Sequence, residues 1–290
     1  MKAKKSLIVF LALTISILMI SCGKTAQVNY PSNSTVKTET LDEIKIHYID
    51  VGQGDSELIQ IDGKNILIDA GTSDKKALEY LKSAGITKLD YVIATHPHKD
   101  HIGSMDNVID NFYIGTFYAP DISTTANAYE NMINSLNKKS LKATVPKVGD
   151  QITIGNAAIT FLAPNSNTYE DLNNYSIVVK LKYGNNSFLF MGDAQALSEN
   201  EMLTKQLDVQ ADVLKVGQHG SDTSTSQEFL NKVNPKYAVI SCGKDDSNQH
   251  PNQTTIEKLN AKNIEVFRTD LNGTVVATSN GKDITFNVKN

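Results

Sequence analysis

The chain has 290 residues, of which 40% are hydrophobic and 21% charged, a composition typical of a globular protein. It excludes a disordered chain, a collagen-like chain and a membrane protein with several spans. Two cysteines, Cys22 and Cys242, exclude a disulfide framework and a cysteine-rich zinc site. The net charge of −4 and a single arginine, Arg268, argue against a general nucleic-acid binder, because phosphate backbones are bound through positive charge.

The amino terminus carries the pattern of an export signal. Three lysines precede an apolar run over residues 7–20, and Ser21 and Cys22 follow it. This run is too short for a membrane span and predicts a signal segment over residues 1–22. The end of the segment resembles a bacterial lipoprotein processing site, which implies lipidation at Cys22. We therefore expect an exported protein, lipid-anchored on the outer face of the bacterial cytoplasmic membrane or secreted; an uncleaved anchor is a further alternative.

A polar segment follows the signal. Residues 23–43 are rich in Ser, Thr and Asn and have no apolar period, so we expect a flexible tether. Removal of residues 1–21 deletes three lysines and leaves 25 basic against 32 acidic residues, a net charge of −7. Residues 44–290 contain no low-complexity break and are predicted to form one domain.

In this domain, short β-branched runs alternate with helical stretches. The first strands are predicted at residues 44–49, 58–61 and 66–68. A helix at residues 73–84 ends at Gly85, and a buried strand follows at residues 91–94. Further strands are predicted at residues 177–183, 187–191, 213–216 and 237–240. The pattern indicates a mixed α/β domain with much antiparallel pairing.

Local capping and turn signals mark other boundaries in the second half. Residues 184–186 are predicted to form a hairpin turn, and residues 229–233 to lie on a helix. Capping boxes predict two helix starts, at Ser198 with Glu201 and at Thr254 with Glu257. The dipeptide at residues 280–281 predicts a type I′ turn between strands at 274–277 and 284–288.

The densest polar cluster follows the strand at residues 91–94. His96, His98, Asp100 and His101 fall within six positions, and imidazole and carboxylate groups suit metals that take N and O ligands. Two other strands end in a similar way, one at Asp193 after a glycine and the other at the loop of His219. Because strand ends can share one sheet edge, we expect Asp193 and His219 to join the first cluster.

These residues and their neighbours resemble a known family, the metallo-β-lactamase fold hydrolases. The similarity is closer to the hydrolase domain of DNA-uptake competence proteins and to phosphorylcholine esterases. Its landmarks run from residue 49 to residue 251 and are IDVGQGDS, ILIDAG, THPHKDHIGS, NNYSIVVKLKYG, FLFMGD, ADVLKVGQHGS and the pair His250-Pro251. The resemblance implies a four-layer αββα sandwich formed by a single α/β domain.

The resemblance also implies a site for two divalent metal ions, with zinc favoured and manganese an alternative. The first ion takes His96, His98 and Asp193, and the second takes Asp100, His101, His219 and the shared Asp193. Much of the superfamily adds another histidine to the first site. No histidine lies between His101 and His219 in this chain, which predicts a more open first site.

Several other residues receive roles from the resemblance. Asp69 is expected to accept a hydrogen bond from a ligand histidine. Asn174 and Ser176 occupy the region of the histidine that this chain lacks. Gln218 stands where related domains often have histidine. Ser221 is the last residue of the same four-residue motif, residues 218–221. These four neighbours are predicted to contact either the ligands or the substrate.

Asp100 and His250 are the catalytic candidates. Two cations bridged by Asp193 would lower the pKa of a shared water, and His250 could protonate the leaving group. A surface turn before Pro251 is an equally good interpretation of His250. The turn that contains Asp55 is assigned hairpin geometry rather than a direct role, and Cys242 is predicted to be buried.

The leading hypothesis is an exported hydrolase of phosphodiester bonds, acting on nucleic acid or on a cell-envelope polymer. Hydrolysis of a lactam, lactone or thioester on the same metal site is the first alternative. A metal-containing binding lipoprotein without catalysis is the second. The membrane contact is expected through the lipid anchor, and the sequence identifies no protein partner.

Overall fold

In the computed structural model of the protein, residues 42–244 and 249–288 are described. The predicted signal segment, the lipidation at Cys22 and residues 23–41 of the predicted tether lie outside the described residues. Within the two described ranges, no helix is both long and apolar enough to cross a bilayer.

Strands account for most of the regular structure in these ranges. They are β1 (Ile44–Tyr48), β2 (Glu57–Ile61), β3 (Lys64–Ile68), β4 (Lys88–Ile93), β5 (Tyr113–Tyr118), β6 (Ala143–Thr144), β7 (Gln151–Ile154), β8 (Ala157–Ala163), β9 (Val178–Tyr183), β10 (Asn186–Phe190), β11 (Val213–Lys215), β12 (Tyr237–Ile240), β13 (Glu265–Arg268), β14 (Val275–Ser279) and β15 (Ile284–Val288).

Helices connect the strands. They are α1 (Lys76–Ser83), α2 (Lys99–Ile102), α3 (Met105–Asn111), α4 (Asn127–Lys138), α5 (Ala196–Thr204), α6 (Gln227–Val233), α7 (Gln253–Ala261) and α8 (Thr269–Asn272). Two 3-10 turns, Leu172–Tyr175 and Gly217–Gly220, precede β9 and follow β11.

The strands form two sheets. The first has the order β15-β14-β1-β2-β3-β4-β5-β6, and the second has the order β13-β12-β11-β10-β9-β8-β7. Pairing is antiparallel in the hairpins and parallel from β3 to β6 and from β10 to β13. The predicted α/β domain with much antiparallel pairing is confirmed.

Three apolar clusters separate four layers. Alternate residues of both sheets, such as Ile46 and Phe188, meet in the central cluster, because successive side chains of a strand point to opposite faces. The outer face of the first sheet packs against α1 to α4, with Leu81 and Met105 in the contact. The outer face of the second sheet packs against α5 to α7. The expected αββα sandwich is therefore confirmed.

Two of the local predictions for helices are wrong. α5 begins at Ala196 with Gln195 as its N-cap, so Ser198 lies inside the helix. α7 begins at Gln253, and the Asn252 side chain accepts a hydrogen bond from the Thr254 backbone N–H. Both helices therefore begin earlier than the capping boxes predict, and only α7 has a side-chain cap.

Two further boundaries differ from the predictions. α1 begins at Lys76, three residues after the predicted start. The predicted type I′ turn is also wrong, because four residues separate β14 from β15 and Gly281, but not Asn280, has a positive φ. The Asn280 side chain instead accepts hydrogen bonds from the backbone N–H groups of Lys282 and Asp283.

Candidate metal centre

The six predicted metal ligands meet at one edge of the sandwich. His96, His98, Asp100 and His101 lie directly after β4 of the first sheet, whereas Asp193 follows β10 and His219 follows β11 of the second sheet. The segments after these strands converge, because ligand atoms from both sheets lie within 4.8 Å of one another. The cluster therefore joins the two halves of the sandwich.

The ligand atoms fall into two groups. In the first group, His96 Nε2 lies 3.0 Å from His98 Nδ1 and 3.6 Å from Asp193 Oδ2. In the second group, His219 Nε2 lies 3.3 Å from Asp100 Oδ2. His101 completes this second group.

Asp193 faces both groups. Its Oδ2 points toward His96, while its Oδ1 lies 3.2 Å from His101 Nε2 and 3.6 Å from His219 Nε2. The carboxylate is nearly buried, and its backbone N–H donates to Ser176 Oγ at 3.0 Å. Its two oxygens can therefore serve two separate cations.

Three buried atoms test whether this donor set suits a metal. His101 Nε2, His219 Nε2 and Asp193 Oδ1 face one another without a hydrogen-bond partner. Leaving buried polar atoms without hydrogen bonds costs free energy, and a divalent cation held by imidazole and carboxylate groups would satisfy all three. The residues present thus fit divalent metal ions.

The pKa values follow from the same crowding of charge. Burial lowers the pKa of His219, but Asp193 and Asp55 raise it to about 10. His101 follows the same pattern, because Asp193 and Asp69 raise its pKa well above the usual value despite its burial. Burial and the neighbouring His101 instead hold the pKa of His96 well below its usual value. A metal ion at the second group would take the place of protons on these imidazoles.

Asp69 lies beneath the second group. Its Oδ2 accepts from His101 Nδ1 at 2.7 Å and from the Thr95 hydroxyl at 2.6 Å, and its Oδ1 accepts from the Thr95 backbone N–H. These bonds fix the His101 ring so that Nε2 faces Asp193. Thr95 was not singled out from the sequence, although it precedes the histidine motif directly.

The neighbours predicted from the resemblance occupy two places. Ser176 Oγ lies 3.3 Å from His96 Nδ1 and thus contacts a ligand histidine. Asn174 instead bonds with Gln195, through both its side-chain amide and its carbonyl oxygen.

Side-chain hydrogen bonds within residues 218–224 stabilise the loop that contains His219. Gln218 Oε1 accepts from the hydroxyls of Thr223 and Ser224, and the Ser221 hydroxyl lies 2.9 Å from that of Thr223. Gln218 and His219 both have positive φ values, 47° and 53°, in a region that few residues other than glycine adopt. Such strained backbone clusters at functional sites. The ring of His250 stacks near that of His219, with 6.2 Å between centroids.

Two buried residues near His219 were not assigned a role from the sequence. Lys215 Nζ lies 2.7 Å from Asp55 Oδ2, and both side chains are 1% exposed.

Cys242 is buried as predicted, and burial together with Asp270 raises its pKa to about 12.

Comparison with known families agrees with this geometry. Residues 49–244 match the Metallo-beta-lactamase superfamily. The chain belongs to this superfamily. The match covers every ligand candidate described above and supports a metal-dependent hydrolase.

Curated relatives include competence proteins. The chain is 30% identical over 266 residues to ComE operon protein 3 of Bacillus subtilis, covering 85% of this chain and 34% of the relative. It is 30% identical over 232 residues to competence protein ComA of Neisseria gonorrhoeae, covering 77% of this chain and 30% of the relative. This chain thus spans about a third of the length of these two relatives.

A solved structure supports the fold. The metallo-beta-lactamase fold protein YhfI from Bacillus subtilis superposes with a TM-score of 0.56 at 16% identity, covering 82% of this chain and all of that one. At this identity the likeness extends to the fold alone.

Proposed function

We propose that this metal-dependent hydrolase binds two divalent cations, zinc or manganese, and cleaves phosphodiester bonds. The observation that carries the proposal is the position of Asp193, whose two carboxylate oxygens face two separate groups of ligand atoms. Two cations held there would supply Lewis acidity for a phosphoryl oxygen and would activate a water molecule as the nucleophile.

The chain's own residues would orient the reaction. Asp193 aligns the two groups of ligands, and Asp100 is partly exposed at the mouth of the second group. His250 lies on the same side, beside His219, where it can donate a proton to a leaving oxygen. The first group contains three protein ligands, which leaves more room for a substrate oxygen there.

A cleft with charged walls lies beside the glycine-rich turn that precedes Asp55. It has a volume of about 390 Å³ and lies between the turn that contains Gln53 and the segment at Gly243. The Gly243 backbone N–H donates to Gln53 Oε1 at 3.0 Å, so the two segments are joined. Two lysines, Lys76 and Lys244, line the cleft together with Asp50 and Asp270, and Asp270 is paired with Arg268. The similarity to competence proteins favours nucleic acid, while the net charge of −7 favours a phosphodiester of the cell envelope.

A panel of substrates tests the chemistry. The protein over residues 23–290, loaded with zinc or manganese, is expected to hydrolyse bis-p-nitrophenyl phosphate and to leave a chromogenic cephalosporin intact. Chelation is expected to abolish the phosphodiesterase rate, and return of the metal to restore it. DNA and p-nitrophenyl phosphorylcholine then separate a nuclease from an envelope enzyme. Hydrolysis of the cephalosporin alone would refute the phosphodiesterase, and turnover of neither class by the loaded protein would favour a binding lipoprotein.

We also propose that the chain is exported and anchored through lipid on Cys22, with residues 23–43 as the tether. This proposal is supported by the basic start and the apolar run before Cys22. The Cys22→Ala variant, expressed in a bacterium, is expected to lose incorporation of labelled palmitate and to leave the membrane fraction after export or to remain unprocessed. The Cys242→Ala variant is the matched control and is expected to incorporate label as the wild type does. Equal labelling of the wild type and Cys22→Ala would contradict the anchor.

A further inference from the structure

A fully buried ion pair lies between the two sheets, directly behind His219. Asp55 belongs to the turn between β1 and β2 of the first sheet, and Lys215 is the last residue of β11 in the second sheet. Val213 points into the central cluster, and the alternation of side chains along a strand directs Lys215 to the same side. The pair therefore crosses the interior of the sandwich.

Stability alone is a weak reason for such a pair. Removing two charges from water costs several kcal/mol per ion, and apolar residues of similar volume often stabilise a core equally well. Asp55 is the carboxylate that Lys215 neutralises, because Lys215 Nζ lies 2.7 Å from Asp55 Oδ2. The Lys215 ammonium makes one further contact, donating to the Val216 carbonyl at 3.1 Å.

Asp55 connects the pair to the metal centre. Its Oδ1 lies 3.2 Å from His219 Nδ1, and the same nitrogen lies 3.0 Å from the Ser241 carbonyl oxygen. With Nδ1 held from behind, His219 Nε2 faces Asp100 and Asp193. Asp69 holds the remote nitrogen of His101 by a hydrogen bond of 2.7 Å. At His219 the Ser241 carbonyl is the hydrogen-bond partner of that nitrogen, and Asp55 adds a buried negative charge beside it.

We propose that Asp55 and Lys215 act as a positioning pair for the second metal ion. Asp55 fixes the ring of His219, and Lys215 fixes Asp55 by reaching across from the opposite sheet. Hydrogen bonds to the remote nitrogen of a ligand histidine orient the ring and raise metal affinity. This inference rests on the two-metal centre of the proposed function and does not depend on the substrate.

The test removes the charges without leaving one of them buried alone. The double variant D55L/K215M replaces the pair by apolar side chains, and its thermal unfolding is expected to stay close to that of the wild type. Calorimetric titration of the metal-free protein with zinc is expected to show the first ion unchanged and the second bound about 10–100-fold more weakly. The absorption spectrum of the cobalt form reports the same change as an altered ligand field at the second ion.

A more conservative variant separates positioning from packing. D55N/K215M keeps an oxygen acceptor near His219, and its second ion is expected to bind more tightly than in D55L/K215M but more weakly than in the wild type, because a neutral amide accepts less strongly than a carboxylate. If the leucine variant does not fold, this variant alone decides the matter.

The control is K180M/D208N, which removes another ion pair of 2.7 Å, between β9 and the loop before β11, in which Lys180 is nearly buried and Asp208 is exposed. It is expected to bind both ions as the wild type does. Wild-type affinity for the second ion in D55L/K215M, or in D55N/K215M should the leucine variant not fold, would overturn the positioning role. A wild-type protein that binds two ions but cleaves no phosphodiester would refute the proposed substrate and leave this test intact.

Discussion

Replacement of His98 or Asp193 by alanine is expected to abolish hydrolysis, with different losses of metal in the two variants. His98 lies in the first ligand group, whereas Asp193 faces both. His98→Ala is therefore expected to retain about one ion and Asp193→Ala almost none. Each rate on bis-p-nitrophenyl phosphate should fall at least about a thousandfold, equivalent to ~4 kcal/mol of transition-state stabilisation. Elemental analysis after dialysis and steady-state kinetics measure the two effects.

The matched control for these variants is His47→Ala. His47 lies on β1 and contacts the side chains of Tyr80 and Gln60, remote from the ligand groups. Its replacement is expected to keep both ions and the wild-type rate. Unchanged turnover in His98→Ala or Asp193→Ala would contradict the two-metal assignment, and equal metal contents in these two variants would contradict a bridging Asp193.

Much of the fold follows from local patterns in the sequence. The strands around Ile46, Leu67 and Phe188 are predictable because short β-branched and apolar runs between turn residues are a local property of the sequence. The four-layer order came from the family resemblance, since periodicity does not say which sheet a strand joins. The capping box failed at Thr254 because the Asn252 side chain caps that helix instead, and it failed at Ser198 because the helix begins two residues earlier without a side-chain cap.

Some residues of the candidate site could be predicted from local sequence spacing, whereas others come together only through tertiary packing. His96, His98 and His101 are close in sequence, and their spacing alone indicates a metal ligand set. Asp55 and Lys215 are 160 positions apart and meet through the packing of two sheets, which no local spacing encodes. One signal was present, since Lys215 occupies an inward position of a strand whose neighbours are apolar. A lysine there requires a buried partner.

Replacement of Gly54, in the turn that contains Asp55, is expected to lower both the stability of the fold and the affinity for the second metal ion. Gly54 has a φ of +143°, and a β-carbon at this position would lie 2.3 Å from the Asp100 carbonyl oxygen. The next backbone N–H, of Asp55, donates to that same oxygen at 3.1 Å. Gly54→Ala is therefore expected to push apart the turn and the ligand loop. Urea denaturation should show a loss of about 3 kcal/mol, and titration with zinc should show weaker binding of the second ion.

Gly63→Ala separates this close contact from the general cost of a left-handed residue. Gly63 has a φ of +69°, and its β-carbon would meet open space, so a loss of about 1 kcal/mol with unchanged metal affinity is expected. A loss in Gly54→Ala no larger than that in Gly63→Ala would contradict the contact with Asp100. Since Asp100 is a ligand and Asp55 holds His219, a larger loss accompanied by weaker metal binding would show that the glycine-rich turn sets the geometry of the second metal site.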